Sequence, residues 1–172
     1  MFEIYLISML RTLLATITLC LQKAQHSLET LLHQKQANQC PQQTQSRILT
    51  AAYIDAQGLE TFPPGSNNEV YWRTLISRGR TPTDSLTVGK ATLPPLKGLL
   101  CPHRHAQAEV YHILSGKGLV TLGNDEHIVA AGDVVYIPGD ERHGIRNSSD
   151  KEELAWMYYF ACDGFEDVKY RF

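Results

Sequence analysis

Apolar residues near the amino terminus recur at alternating spacings of three and four: Ile7, Leu10, Leu14, Ile17, Leu21, Ala24, Leu28 and Leu31. That spacing lines one side of an α-helix in the manner of heptad a and d positions, and it predicts one amphipathic helix. Such a helix packs on its own domain or against a second copy. The stripe ends at "HQKQANQCPQQTQS", residues 33–46, which is rich in glutamine and reads as a solvated linker. Residues 1–46 are therefore expected to form a helix and linker, and residues 47–172 the ordered domain.

Beyond the linker the helical period gives way to short extended runs. "VYWRTLI" (70–76) and "SLTVGKATL" (85–93) predict strands. "AEVYHILSGKGLVTLG" (108–123) reads as a β-hairpin turning through Ser115, Gly116, Lys117 and Gly118. "GND" turns the chain again into "EHIVA", and "AGD" introduces "VVYIP", which Pro138 ends because it cannot donate to a ladder. "HGIRN" and "LAWMYYF" supply two more strands. Eight or nine short strands with turn signals between them predict an all-β, antiparallel sandwich or barrel with an amino-terminal helical extension.

Composition narrows the partners. The chain carries a net charge of −2 and no basic run, so nucleic acid is not an expected partner. Cys20, Cys40, Cys101 and Cys162 lie far apart without a CxxC pair, which suits reduced thiols in a cytoplasm. The alternative is export, should the apolar run from about Met9 to His26 act as a signal peptide. With Arg11 inside it, that run is a poor transmembrane helix, and no membrane partner is expected. A homodimer is expected, through strand edges or the heptad helix.

The chemistry concentrates in "CPHRHAQAEVYHILSG", residues 101–116. Strand residues i and i+2 share a face, so His103 and His105 point the same way, and Glu109 and Tyr111 keep that parity. His143, in "GDVVYIPGDERHGIRN" (132–147), offers a fourth ligand from another strand. Imidazole suits Zn, Cu, Fe and Ni, and a carboxylate extends the range toward Mn.

These residues resemble the cupin family. Its first motif, G-x5-H-x-H-x3,4-E-x6-G, is met by His103, His105, Glu109 and Gly116. Its second, G-x5-P-x-G-x2-H-x3-N, is met by Gly132, Pro138, His143 and Asn147. Gly98 stands one residue closer to His103 than the pattern asks, and Pro138-Gly139-Asp140 stands where Pro-x-Gly is expected. The resemblance spans roughly residues 70–162. It implies a cupin-type jelly-roll barrel in which His103, His105, Glu109 and His143 hold one divalent transition metal (Fe2+, Mn2+, Zn2+ or Ni2+). Positions left open on that metal would take water, a small-molecule substrate or oxygen.

The resemblance implies several activities. In a redox-neutral lyase the metal acts as Lewis acid on a small carboxylate substrate and Tyr111 acts as base. This is similar to the small cupin lyases that cleave dimethylsulfoniopropionate, which carry a tyrosine two residues after the glutamate. An iron dioxygenase and a non-catalytic cupin that binds metal or a small ligand are the alternatives; a sugar isomerase lacks a phosphate anchor here. Cys101 shares the parity of the histidines and is either a thiol near the metal or a small buried apolar residue. His112, His127 and Arg104 are expected to face outward; Lys90 and Arg146 are candidate anchors for a carboxylate substrate, although charged residues on strands usually face solvent. Either Trp156, Tyr158 and Phe160 or Met157 and Tyr159 line the cavity.

Overall fold

The structure is a computed structural model that describes residues 45–172 together with residues 17, 18, 21–25 and 27. Those between 17 and 27 are helical, and Ile17 and Leu21 are exposed. Ala24 of the heptad stripe is exposed as well; the other stripe residues and most of the glutamine-rich linker lie outside the described residues. By its contacts the chain divides into two units, Met1–Gln43 and Thr44–Phe172. Among the described residues no helix is long and apolar enough to cross a membrane.

The second unit opens with a short helix, α1 (Ala51–Ala56), that sequence periodicity did not reveal. Six residues are too few to show a 3.6-residue period. Its start is fixed locally, where Thr50 accepts a hydrogen bond from the Tyr53 amide at 3.2 Å.

Ten strands follow: β1 (Glu60–Thr61), β2 (Tyr71–Ile76), β3 (Thr87–Leu93), β4 (Leu99–His103), β5 (Glu109–Ser115), β6 (Lys117–Leu122), β7 (Asp125–Ala130), β8 (Val134–Ile137), β9 (His143–Asn147) and β10 (Leu154–Phe160). They form two antiparallel sheets. The larger runs β1-β2-β3-β10-β5-β8 and the smaller β4-β9-β6-β7. One apolar cluster joins their inner faces, with Ala91, Ile113, Ile137 and Trp156 from the larger sheet and Leu100, Val120, Val129 and Ile145 from the smaller. This is the expected all-β jelly roll.

One expected feature is corrected. β5 and β6 do not form a hairpin. β5 pairs with β10 and β8, while β6 pairs with β7 and β9. Only Gly116 separates the two strands, too few residues for even a two-residue turn. The chain instead bends at Gly116 and crosses from one sheet to the other. Gly116 has φ of 80°, and a Cβ there would lie 2.4 Å from the Glu153 carbonyl. Glycine is required both by the conformation and by the contact.

Asn147 explains the last position of the second motif. Its side-chain amide donates to the carbonyls of Leu93, Pro94 and Glu152 at 3.0, 3.2 and 2.8 Å. One buried group thus ties the end of β9 to the chain leaving β3 and the chain entering β10. Asn147→Ala leaves those carbonyls without this donor and is expected to cost roughly 1–3 kcal/mol of stability. Urea denaturation of the metal-free protein measures it.

Candidate metal centre

His103 ends β4 and His143 begins β9, and the two residues face each other in the register of that strand pair. His105 sits on the loop after β4, and Glu109 begins β5 in the other sheet. The fold brings all four together at the seam between the sheets. The three histidines are at most 1% exposed, and Glu109 is 3% exposed.

Each imidazole is oriented by a backbone carbonyl two residues away. Nδ1 of His103 bonds the Cys101 carbonyl at 2.9 Å, Nδ1 of His105 the Gln107 carbonyl at 2.9 Å, and Nδ1 of His143 the Glu141 carbonyl at 2.8 Å. A carbonyl only accepts, so each Nδ1 carries the proton and each Nε2 offers a lone pair. Those lone pairs converge. Nε2 of His105 lies 3.1 Å from Nε2 of His143, and the two lie 3.1 and 3.2 Å from Oε2 of Glu109. Nε2 of His103 is buried and has no hydrogen-bond partner. In neutral form this set places acceptor against acceptor. A cation at the centre would satisfy all of them, and the three histidine nitrogens are close enough together to hold one.

The surroundings keep the His103 imidazole neutral. Burial, followed by the neighbouring His143, lowers the His103 pKa from 6.5 to about 3. Tyr170 lies against the His103 ring with centroids 4.5 Å apart and planes at 31°, and Phe160 meets His105 edge-on at 5.0 Å.

A small cavity adjoins the cluster. Glu109 and Tyr111 lie in its wall, with Trp72, Trp156, Tyr158 and Tyr170 among the aromatic residues around them. Among the described residues no lysine or arginine lines it. The Tyr111 hydroxyl is close enough to Glu109 to feel its charge but makes no hydrogen bond of normal geometry. Burial, then Glu109, raises its pKa well above 10.0.

Most neighbours behave as their parity suggests. Trp156, Tyr158 and Phe160 are buried, while Met157 and Tyr159 are only partly so. Arg104 and His127 are exposed, His112 and Lys90 are half-buried, and Arg146 pairs with Glu126 at 3.2 Å on the surface. Cys101 corrects both expectations. It is neither buried nor at the cluster; its thiol contacts the Asn67 carbonyl at 3.6 Å. The register of β4 shifts between Leu100 and His103, so face alternation does not carry from 101 to 103.

The motif departure at 140 also has a structural meaning. Asp140 takes φ of 64°, a left-handed conformation, at the position where the family pattern has glycine. Its amide donates to the His105 carbonyl at 2.7 Å, which fastens the loop before β9 onto the loop that holds His105. Sequence reasoning missed Tyr170. It belongs to no strand period, and only the backbone pairing of Arg171 with Arg104 delivers it to the site.

A two-sheet jelly roll with three buried histidines converging at its seam fits a metal-binding cupin, and the barrel domain belongs to the cupin superfamily. The Cupin domain family matches residues 89–160. Among characterised proteins, the chain is 40% identical over 104 residues to the dimethylsulfoniopropionate lyase DddW of Ruegeria pomeroyi, covering 60% of this chain and 66% of that protein. It is 36% identical over 61 residues to an uncharacterised protein of Methanocaldococcus jannaschii, covering 36% and 49%. The matches thus span less than two-thirds of these relatives' own length. Among solved structures, the polyketide cyclase RemF of Streptomyces resistomycificus superposes with a TM-score of 0.60 at 20% identity over 74% of this chain and 84% of that one. A cupin-2 domain protein of Rhodospirillum rubrum superposes with 0.57 at 22% identity, over 74% and 79%. At that identity the likeness concerns the fold alone.

The His103 shift sets a pH dependence for the metal-free protein. The unfolded chain takes up a proton near pH 6.5 that the folded site refuses until about 3. Stability from this group is therefore complete above pH 6.5 and declines as pH falls toward 3, by at most about 1.4 kcal/mol per pH unit. Urea midpoints of metal-free protein at pH 7 and pH 5 check the sign, and His103→Asn is expected to flatten the difference.

Proposed function

We propose that the protein is a mononuclear metal cupin enzyme that performs redox-neutral lyase chemistry on a small carboxylate substrate, in the manner of dimethylsulfoniopropionate cleavage. In this reading His103, His105, Glu109 and His143 hold one divalent ion. The observation that carries it is the pairing of four converging acceptors with a cavity that has aromatic walls, an unpartnered Tyr111 hydroxyl and, among the described residues, no basic residue. The 40% identity to DddW supports the same chemistry.

A divalent transition metal bound there supplies Lewis acidity toward a carboxylate or carbonyl oxygen and favours the phenolate of a nearby tyrosine. The chain supplies the rest. Aromatic faces suit a sulfonium group, which a basic residue would repel. Tyr111 takes the proton α to the carboxylate. The electrons of that C–H bond form the carbon–carbon double bond, and those of the carbon–sulfur bond leave with dimethyl sulfide. The products are acrylate, dimethyl sulfide and one proton.

An iron dioxygenase is the second reading. Cys101 turns away from the cluster, so no thiol beside the metal stands exposed to oxidation. Oxygen uptake separates the two. We also propose a homodimer, which the exposed apolar residues Ile128, Val134 and Tyr136 on β7 and β8 favour; light scattering of the purified protein tests it.

Purified protein is expected to carry about one divalent ion per chain and to release acrylate from dimethylsulfoniopropionate without consuming oxygen. His143→Ala is expected to lose the metal. Tyr111→Phe is expected to keep the metal while turnover falls about 100-fold or more. Metal analysis beside acrylate release measures both. Full turnover in Tyr111→Phe removes Tyr111 as the base, and a metal-free protein that cannot be reconstituted favours a non-catalytic binding role.

A further inference from the structure

A line of hydrogen bonds runs from the cavity wall to the edge of the larger sheet. It starts at Tyr158, which lines the cavity, is 4% exposed and lies directly across from Tyr111 in the register of β10 and β5. On its other side Tyr158 faces Gly89 of β3. A Cβ at Gly89 would sit 2.1 Å from the phenol oxygen, so the missing side chain is what lets the phenol lie across this strand. The hydroxyl thereby reaches Thr74 on β2, with the two oxygens 3.2 Å apart. Thr74 is 3% exposed, and its hydroxyl donates to Oε2 of Glu60 on β1 at 3.2 Å. Glu60 is held by the Thr74 amide at 2.8 Å and by Arg80 at 3.0 Å, and its side chain is 28% exposed.

The polarity of this line is fixed. An ionised carboxylate only accepts, so the one hydroxyl proton of Thr74 points to Glu60. Thr74 must then accept from Tyr158. The Tyr158 proton points outward, and one lone pair of its oxygen is left unclaimed by this line.

We propose that Tyr158, Thr74 and Glu60 form a proton exit from the cavity to solvent. A proton arriving at Oη of Tyr158 displaces the phenol proton to Oγ1 of Thr74, whose own proton passes to Oε2 of Glu60. Glu60 releases it to water, and rotation of the two hydroxyls resets the line. No net charge remains on either buried hydroxyl. Burial raises the Tyr158 pKa, which keeps this group a neutral carrier and not a store of charge. The inference rests on the lyase reading, in which each turnover frees one proton beside aromatic walls.

Two variants test it in the metal-loaded full chain, with dimethylsulfoniopropionate as substrate and acrylate as readout. Thr74→Val keeps the shape and removes the carrier. Glu60→Gln keeps a hydrogen-bonding group that cannot take the proton. Each is expected to lower kcat about tenfold or more, with KM and metal content unchanged, and added imidazole is expected to restore kcat in Glu60→Gln. A purely structural role predicts lost metal or raised KM and no restoration by imidazole, and either result overturns the proposal. Wild-type kcat in both variants also overturns it and sends the proton out through the cavity mouth. Metal-loaded wild-type protein that releases no acrylate defeats the lyase reading itself, and the exit falls with it.

Discussion

Three hydrogen bonds from imidazole to backbone carry the rest of the site. Each Nδ1 is committed to a carbonyl two residues away in sequence, so no ring can turn its Nε2 aside. The consequence is a buried meeting of lone pairs at 3.1 Å. The protein holds groups together that repel one another, and the sheets around them provide the restraint. β4 and β9 fix two of the rings across one register, and the loop carrying His105 is fastened by Asp140. Such a centre is organised before its ion arrives, which is what a binding site for a cation requires.

The strand pattern made most of this fold legible. Runs of β-branched and aromatic residues marked β2, β3, β8, β9 and β10, because each contributes side chains to a shared core. The motif spacings marked His103, His105, Glu109 and His143, and the fold brings them together although His105 lies on a loop beyond β4. What escaped depends on partners distant in sequence. Whether β5 and β6 pair is decided at Gly116 by contact with Glu153, far along the chain. The direction of Cys101 is decided by a register shift against β9. Tyr170 reaches His103 only because Arg171 pairs with Arg104. Local periodicity carries none of these.

The cavity owes its character to one strand. β10 lies between β3 and β5 in the larger sheet and contributes Trp156, Tyr158 and Phe160 to the interior. Phe160 backs His105, Tyr158 crosses Gly89 toward β2, and Trp156 packs against Tyr111 at 5.5 Å. Alternation along a single strand therefore supplies the support for a ligand, the wall facing Tyr111 and the link to the sheet edge.

The chain crosses between the two sheets several times, as at Gly116, and the converging side chains are divided between the sheets. His103 and His143 belong to the smaller sheet, and Glu109 to the larger. An ion held by all four, as proposed, would be fully coordinated only while the sheets are closed on each other, and its release would then report on the breathing of the seam, a motion otherwise followed by amide exchange.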